Sequence, residues 1–566
     1  MLESIGIDME EITLAQKVRF MFEKMVTIRK PYEADWENIA KYVLYRREFF
    51  DFSQAQGQGI AKDKFDGTAG KAANNLIHGF QGYMVSRSIK WLNLEFENEE
   101  LEEYKEATIW LEDELHYLYE VFSNTNFYDM VNENLADAVA FGTPCMYSEN
   151  DKDRNQIFYS ERHPIEIYVS KNRYGVHDIV FRKYKMSARE IVKQFDKKNI
   201  SKKIVDGAEE PAEMFNEHVI IHGVFPNDER VLGKLNSKNK KYRSVYLEEQ
   251  ADEDNMTLSD SGYDENPYTV WGWNENSTED YARCPSHDAL PEILTANRLE
   301  ESMLEAVEKS VDPPMYVPGK NRGRIKTYPG GHTYYENYQA EKMEPVYQGI
   351  NLPIGMEERE DLRNRIRGHY FNEFFLILNQ LIQEKGSNKT ATEIMEIQGE
   401  KAAIINPIIG RYETKFLDSI INRTYQIEYE ARRGPPMPAV LEDRGEEKIK
   451  IRYTGPLATI QERLYKTTGI VHTLNAIGPA ADIQMTNAPI LDNFDFDILA
   501  NEISDVYEMP RRAIRTDKEV QKIREQRAKA NQAAQQAELA EKMGKAAQGL
   551  GKKPEAGSPV EKLMEG

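Results

Sequence analysis

The segments that come closest to ligand-binding motifs each lack a residue that the chemistry needs. Gly67-Thr-Ala-Gly-Lys71 approaches the loop in which many ATPases hold phosphates on glycine amides and a lysine. However, Phe65 stands where that loop has its first glycine, and Ala72 follows the lysine in place of a serine or threonine. Without a phosphate-binding loop, the chain is not expected to be an ATPase of this class.

A second segment, from Asp492 to Asp497, offers three carboxylates that could bind calcium. It has neither the turn glycine nor the terminal glutamate of a calcium-binding loop. Acidic residues also stabilise the first turn of a helix through its dipole, and a helix is predicted to start here. The sequence therefore favours a helix N-terminus over a metal site.

The cysteines and histidines are not grouped in a pattern typical of a catalytic or metal-binding site. Cys145 and Cys284 occur without a CxxC motif or a Cys/His cluster, which argues against disulfides and zinc and favours a reducing compartment. Of the ten histidines, only His218 and His222 lie four residues apart, and dinucleotide-binding, zinc-protease and serine-hydrolase motifs are absent. We therefore expect a protein that is not an enzyme, with no catalytic residue, no metal site and no cofactor.

The composition indicates a large folded protein that does not attract nucleic acid as a whole. The 566 residues, 40% of them hydrophobic, suffice for about two to four structural units. A formal net charge of −22 repels DNA phosphates, but it allows a surface along which DNA passes without being held. Neither a secretory signal nor an apolar run of about 18 residues occurs, so we expect cytoplasmic synthesis and no membrane partner.

The N-terminal half changes from a helical to a strand-like pattern. Apolar residues recur every three or four positions over residues 10–48, where Pro31 marks either a kink or a break between two helices. A later helix is expected to end at Gly142 in a left-handed conformation. Short alternating runs then predict strands between residues 146 and 273, and Gln250–Asn266 is expected to be an acidic, mobile surface loop. The predicted fold class is α+β with helices predominating.

The central region consists of two amphipathic helices separated by a long excursion. The helices are predicted over residues 286–310 and 353–384, each with one apolar face. Residues 311–352 contain five prolines and five glycines, far more than a helix tolerates. The chain therefore leaves the folded body between two helices and returns to it.

A polar loop and a long helix follow the second of these helices. The loop is Lys385, Gly386, Ser387, Asn388 and Lys389. It is either a simple turn or, because lysines flank it, a mobile tip that touches phosphate. Pro407 lies inside the helical pattern that starts at Thr390, so a bend is expected near Asn406.

Several motifs, none of them specific alone, occur in an order and spacing that resemble a known family. They are Phe65-Asp-Gly-Thr-Ala69, Trp91-Leu-Asn-Leu94, Phe141-Gly-Thr143, Ser286-His-Asp-Ala-Leu-Pro-Glu-Ile293, Thr390-Ala-Thr-Glu393, and Gly434-Pro-Pro-Met-Pro438 before Leu441. From about Leu14 to Arg527, the chain resembles the portal (head-to-tail connector) proteins of short-tailed, T7-like bacteriophages.

The resemblance implies a structural protein of the virion. Portal proteins form rings of twelve subunits at one capsid vertex, and DNA is packaged and ejected through the central channel. The implied parts are a wing (residues 1–285 and 390–475), a stem (286–310 and 353–384), a clip (311–352), a tunnel loop (385–389), a crown (476–545) and a disordered tail (546–566).

The implied partners are further copies of the chain, the terminase large subunit, a tail adaptor protein, the major capsid and scaffold proteins, and double-stranded DNA without sequence specificity. Lys385 to Lys389 would face the DNA channel. The partner-binding residues of the clip would be Tyr316, Arg322, Arg324, Tyr328, Tyr334, Tyr335 and Tyr338. From residues alone, the tyrosines could equally cover a small β-core. The protein would be made in the host cytoplasm and located at the portal vertex of the capsid.

Two other classes of function stay open at this point. A packaging ATPase, the terminase itself, would need the phosphate-binding loop that the chain lacks. An internal, scaffold-type virion protein would need little more than acidity and a helical C-terminal region.

Overall fold

The structure, a computed structural model, describes residues 13–44, 63–98, 100–101, 104–151, 153–231, 233, 236–250, 257–311, 315–316, 344–345, 352–372, 404–442, 449–455, 495–506, 515 and 517–550. The chain divides into two compact units. Unit 1 comprises Met1–Glu95, Glu114–Pro435 and Ile451–Tyr465, and unit 2 comprises Phe96–Asp113, Pro436–Lys450 and Lys466–Gly566.

Helices and mainly antiparallel strands both occur, as the predicted α+β class requires. The helices are α1 (Leu14–Tyr42), α2 (Thr68–Met84), α3 (Lys105–Asn124), α4 (Phe127–Phe141), α5 (Ala188–Gln194), α6 (Lys202–Glu209), α7 (Pro285–Val311), α8 (Leu352–His369), α9 (residues 404–430), α10 (Ala439–Glu442), α11 (Phe496–Val506) and α12 (Asp517–Leu550). The strands are β1 (Leu92–Phe96), β2 (Cys145–Asp151), β3 (Gln156–Glu161), β4 (Ile167–Lys171), β5 (His177–Ser187), β6 (Glu217–Pro226), β7 (Tyr242–Glu248), β8 (Ser259–Tyr263), β9 (Tyr268–Val270), β10 (Met315–Tyr316), β11 (Glu344–Pro345) and β12 (Ile449–Tyr453).

A five-stranded antiparallel sheet forms the larger β-rich part of unit 1. Its strand order is β4-β5-β6-β7-β8, and a second sheet has the order β3-β2-β9. Helix α1 contributes Val18, Phe22 and Met25 to a buried cluster with Tyr168 and Phe181 of the sheet. These helix residues recur every three or four positions, and burying each such side chain stabilises the fold by about 1.5–3 kcal/mol.

Helix α1 continues through Pro31, so the predicted alternative of a break between two helices is wrong. An internal proline costs about 3 kcal/mol because it removes a hydrogen bond and crowds the preceding turn. Met25 before the proline and Trp36 and Ile39 after it are all buried. The burial of apolar side chains on both sides of Pro31 outweighs that cost.

A buried arginine also ties α1 to the chain between β3 and β4. Arg29 is 4% exposed, and its Nη1 donates hydrogen bonds to the carbonyls of Pro164, Ile165 and Ile167 at 3.2, 2.7 and 3.1 Å. It also forms an ion pair with Glu33 at 2.8 Å. One side chain therefore satisfies three buried carbonyl groups, which water would otherwise have to satisfy.

The acidic insertion contains an edge strand, so the prediction of a mobile loop over Gln250–Asn266 is wrong for Ser259–Tyr263. This segment pairs with β7 as strand β8. Asp260 forms ion pairs with Arg243 of β7 at 3.1 Å and with Lys238 at 3.0 Å. The sequence Ser-Asp-Ser-Gly-Tyr has no apolar alternation, and the strand is held by its backbone pairing with β7 together with these ion pairs.

In unit 2, the acidic run is seen at the start of α11. The Asp495 carboxylate accepts hydrogen bonds from the backbone N–H groups of Asp497 and Ile498 at 2.9 and 3.2 Å. Asp497 pairs with Arg524 of α12 at 2.6 Å. These contacts are typical of a helix N-terminus, while Asp492 lies outside the described residues. In the described part of the chain, no group of three His, Cys, Asp or Glu side chains is placed to hold a metal ion.

None of the described helices combines the length and the apolar character that a membrane-spanning helix needs.

Candidate assembly site

Helices α7 and α8 form an antiparallel pair in unit 1, which we call the helix pair. Ser286, in the first turn of α7, contacts Tyr370, which follows the last residue of α8. Farther along, Glu300 of α7 lies 3.7 Å from both Arg359 and Arg363 of α8. The start of α7 thus contacts the end of α8, and a later residue of α7 contacts earlier residues of α8, so the two helices run antiparallel. The first helix matches its predicted span closely.

Burial falls along the helix pair from one end to the other. We call the inner end, with Ser286–Asn297 of α7 and Leu362–Tyr370 of α8, the root. At the root, apolar side chains are buried: Ala289, Ile293, Ala296, Leu362, Ile366 and Tyr370. Along the outer part of α7, Leu304, Val307 and Val311 are 46%, 43% and 81% exposed. A helix that turns apolar side chains to solvent indicates an interaction surface.

The excursion begins and returns side by side. Just beyond α7, strand β10 pairs antiparallel with β11, with Met315 opposite Pro345 and Tyr316 opposite Glu344. The residues between the two strands lie outside the described part of the chain. The two-stranded ribbon supports the sequence interpretation that the chain leaves the body and comes back to the same place.

Buried polar contacts fix the root to helix α4. The Ser286 hydroxyl donates a hydrogen bond to the Val139 carbonyl at 2.8 Å and lies 2.9 Å from the Tyr370 hydroxyl. The Cys284 thiol contacts the Ala140 carbonyl at 3.1 Å. Burial raises the pKa of both Cys284, to about 12, and Tyr370, so both groups stay neutral. These residues act as hydrogen-bonding groups in the root rather than as reactive groups.

A second set of contacts fixes the helix pair to the start of α2. The Asn297 side-chain oxygen accepts hydrogen bonds from the backbone N–H groups of Phe65 and Asp66 at 2.7 and 3.2 Å. Its amide nitrogen donates to the Asp63 carbonyl at 2.9 Å. From α8, Arg363 Nε donates to the Asp66 carboxylate at 2.8 Å. Both helices of the pair therefore hold the segment that leads into α2.

The charge of Asp66 is stabilised by these contacts. Burial alone would raise the pKa of Asp66, but hydrogen bonds from Thr68 and Arg363, together with the charge of Arg363, hold that pKa below its usual range. The carboxylate is thus ionised at neutral pH and pairs with the guanidinium. Asp66 belongs to the Phe65-Asp-Gly-Thr-Ala69 motif, but no local pattern pointed to Asn297 or Arg363 as its partners.

Two backbone segments approach each other closely at Gly142, near the root. Its φ is +86°, the left-handed conformation predicted for the end of α4. A Cβ atom at Gly142 would lie 2.3 Å from the Ala282 carbonyl oxygen. Thr143 Oγ1 accepts the Ala282 N–H at 2.8 Å, and the Gly142 carbonyl accepts the Trp273 N–H at 3.0 Å. The Phe141-Gly-Thr143 motif thus holds the segment that leads into α7.

The helix of the pair that was predicted to span residues 353–384 does not continue through Phe371. Helix α8 ends at His369, and Phe371 has a φ of +53°. The Tyr370 side chain is buried at this point and contacts Ser286 of α7. Residues 373–403 lie outside the described part of the chain.

Of the predicted site residues, Tyr316 and Pro407 lie in the described part of the chain. Tyr316 is 64% exposed in β10, where it is free to contact a partner. Pro407 lies in α9, before a π-helical segment at Tyr412–Leu417 that the sequence did not predict. The candidates outside the described residues are Arg322, Arg324, Tyr328, Tyr334, Tyr335, Tyr338 and all five residues of the loop Lys385, Gly386, Ser387, Asn388 and Lys389.

A buried acid cluster lies where α3 meets the end of α9. Glu428 is 3% exposed and accepts hydrogen bonds from the Tyr117 hydroxyl at 2.6 Å and from Arg433 Nε at 2.7 Å. Glu114 is 4% exposed. Burial, and then the negative charge of Glu428, raise the pKa of Glu114 to about 7. The folded chain therefore binds a proton at Glu114 more tightly than the unfolded chain does.

We expect Glu114→Gln to stabilise the protein at pH 8 and to have little effect at pH 4. Because the folded pKa is raised, the stability contribution of protonated Glu114 is complete below pH 4.5 and is lost as the pH rises to about 7. Glutamine keeps the shape of the glutamate side chain without its charge. The free energy of unfolding at pH 8 should therefore be about 1–3 kcal/mol larger in the variant than in the unaltered chain. Denaturation midpoints at both pH values test this, with the exposed Glu120→Gln of the same helix as control. Equal changes at both pH values would contradict the assignment.

The model of the family described as "Bacteriophage head to tail connecting protein" matches residues 15–514. The chain is 27% identical over 515 residues to the portal protein of Salmonella phage epsilon15, covering 90% of each chain. It is 26% identical over 520 residues to the probable portal protein of Bordetella phage BPP-1, covering 91% of each.

Among solved structures, a chain from the virion of a native gene transfer agent particle is similar at 8% identity and a TM-score of 0.32. That similarity covers 74% of this chain and 88% of the other. A TM-score of this size supports no conclusion about the fold.

Proposed function

Because this chain belongs to the family of bacteriophage head-to-tail connecting proteins, we propose that it is a portal protein, a structural subunit of a ring at one vertex of the capsid. In this role it is a component of the virion and does no catalysis. The ring is the conduit for DNA packaging and ejection and the platform on which the packaging terminase and later the tail assemble.

The helix pair is the observation that carries this proposal. It is anchored at its root to α2 and α4, while its outer part turns Leu304, Val307 and Val311 to solvent. In a ring, the outer part of one subunit would pack against its neighbour and cover these side chains. Such contacts are heterologous, because different surfaces of identical subunits meet, and they close when the rotation per subunit fits the ring.

We propose the same division of roles that the resemblance implies. The helix pair is the stem, residues 311–352 form the clip, and residues 385–389 form the tunnel loop. Residues 1–285 and 390–475 form the wing, and residues 476–545 form the crown. The clip would bind the terminase large subunit and then the tail adaptor, with Tyr316 at its base. The wing would contact the major capsid and scaffold proteins.

The charge of the chain fits passage of DNA rather than binding. Twelve copies at −22 each would carry 12 × −22, or −264. A channel in such a ring repels the DNA backbone over most of its surface, so that DNA can slide. The alternatives, a packaging ATPase and a scaffold-type virion protein, have no comparable support from the family match.

The expected result of negative-stain electron microscopy on the purified protein is a ring with a central hole. Val307→Glu should reduce the ring fraction at least about tenfold, since it would bury a charge against the neighbouring subunit. Glu308→Gln, an exposed change at the adjacent position, serves as the matched control and should leave the rings intact. Absence of rings from the unaltered protein at every concentration would refute the portal proposal.

A further inference from the structure

A pocket of about 360 Å³ lies in unit 1 where the sheets meet helix α9. Its walls come from the turn before β5, the start of β7, the chain that enters β9, and the α9 segment from Thr414 to Arg423. The volume lies at the lower end of the range of small-molecule sites, roughly 300–1,000 Å³. The pocket therefore has room for a small ligand.

Arg423, on the α9 wall, is the unusual side chain of this pocket. It is 8% exposed, and its Nε has no hydrogen-bond partner among the residues that the structure describes. Its guanidinium lies over the Tyr263 ring, 5.9 Å from the ring centre. A buried guanidinium is costly unless an anion pairs with it. In the described part of the chain, no carboxylate lies within 4 Å of the Arg423 guanidinium, and Glu265 of the same pocket interacts with it only through its charge at longer range.

Two lysines share the pocket with Arg423. Lys415 forms an ion pair with Glu275, so its charge is balanced. Lys241 is exposed and has no ion pair within 4 Å in the described ranges. Against these stands one carboxyl group in the lining, Glu265. The pocket thus has an excess of positive charge in a chain whose net charge is −22.

Helix α9 also supplies neutral hydrogen-bond donors on the same face. Lys415, Ser419, Asn422 and Arg423 all line the pocket, at positions i, i+4, i+7 and i+8 of the helix. Hydroxyl and amide groups beside a guanidinium and an ammonium are the groups that bind the oxygen atoms of phosphate. The guanidinium offers a planar pair of donors that match two such oxygens.

We propose that this pocket binds a phosphate group, held by Arg423 and Lys241 with Ser419 and Asn422 as additional donors. The site shares no lining residue with the helix pair. A bound phosphate would give Arg423 a charged hydrogen-bond partner. It would also connect α9 to the start of β7, where Lys241 lies.

Isothermal titration with inorganic phosphate tests the proposal on the full chain, with ionic strength held constant by sodium chloride. We expect one saturable site per chain, about tenfold weaker binding in Lys241→Met, and loss of binding in Arg423→Gln. Lys202→Met, which removes an exposed lysine of α6 outside the pocket, should bind as the unaltered chain does. Because Lys241 is exposed, its variant keeps the test valid even if Arg423→Gln fails to fold.

A short DNA duplex in the same titration distinguishes the two sources of a phosphate group. Displacement of inorganic phosphate by the duplex assigns the site to the nucleic-acid backbone, whereas no displacement assigns it to free phosphate or a phosphate ester. No saturable binding to the unaltered chain would overturn the proposal, as would equal affinities in Lys241→Met and the Lys202→Met control.

Discussion

Gly142→Ala is expected to prevent this chain from accumulating as a folded, soluble protein. An alanine in the left-handed conformation costs about 1–2 kcal/mol. In addition, its Cβ would lie 2.3 Å from the Ala282 carbonyl oxygen, so one of two hydrogen-bonded backbone segments must move. The combined loss should be about 3 kcal/mol or more, a large part of the stability of a domain. Soluble yield and the thermal unfolding midpoint measure it.

Gly175→Ala is the matched control for this prediction. Gly175 also has a left-handed φ, +75°, but a Cβ there meets no atom within 4 Å. That variant should show the conformational cost alone, about 1–2 kcal/mol, and remain soluble. If the two variants lose the same stability, the contact with Ala282 is not what requires glycine at position 142.

The sequence was informative wherever the structure depends on local pattern. Helix α7 was predicted over residues 286–310 and spans Pro285–Val311, because its apolar face repeats every three or four residues. The left-handed end of α4 at Gly142 is a local property of glycine after a helix and was also predicted correctly.

The predictions failed where distant contacts decide the local structure. Strand β8 has no apolar alternation, and it pairs with β7, a distant strand, where Asp260 meets Arg243. At the end of α8, Tyr370 is buried and contacts Ser286, which lies 84 positions earlier in the chain. In the π-helical segment, Tyr412 and Phe416 stack at 5.1 Å, four residues apart, a spacing that an α-helix gives equally well. Such features depend on packing that one sequence does not reveal.

The residues of the candidate site, too, were only partly predictable from the sequence. Asp66, Gly142 and Ser286 belong to motifs that are recognisable in the sequence. Their partners lie far away in sequence: the hydrogen bond from Phe65 to Asn297 spans 232 positions, and that from Arg363 to Asp66 spans 297. Sequence patterns identify residues that need a special environment, whereas only the fold shows which residues provide it.

Arg363→Met is the second change with a large expected effect, because it breaks the contact between α8 and the start of α2. The Asp66 side chain is 6% exposed and would stay buried without the cation that lies 2.8 Å away. Removing one partner of a buried pair typically costs about 3–5 kcal/mol. Since Thr68 still donates to the Asp66 carboxylate, we expect about 2–4 kcal/mol here.

Chemical denaturation of three proteins would measure this cost. Arg365→Met, two positions along α8, removes an arginine that is 49% exposed and pairs with Asp361 at 3.3 Å, so it should cost less than about 1 kcal/mol. The double variant Asp66→Asn with Arg363→Met removes the unpaired charge and should recover part of the loss. If Arg363→Met costs no more than Arg365→Met, the Asp66 contact does not anchor the helix pair.

The pH dependence distinguishes a lost ion pair from lost packing. In the unaltered chain the pKa of Asp66 is lowered, so the stability from its ionised form is present above the unfolded pKa and disappears as the pH falls through the folded pKa. In Arg363→Met, burial without the cation should raise that pKa, and protonation would then remove the unpaired charge. The difference in stability between the two proteins should therefore shrink as the solution becomes acidic. A difference that is constant from neutral to acidic pH would mean that Arg363 anchors the helix pair through its methylene groups rather than through its charge.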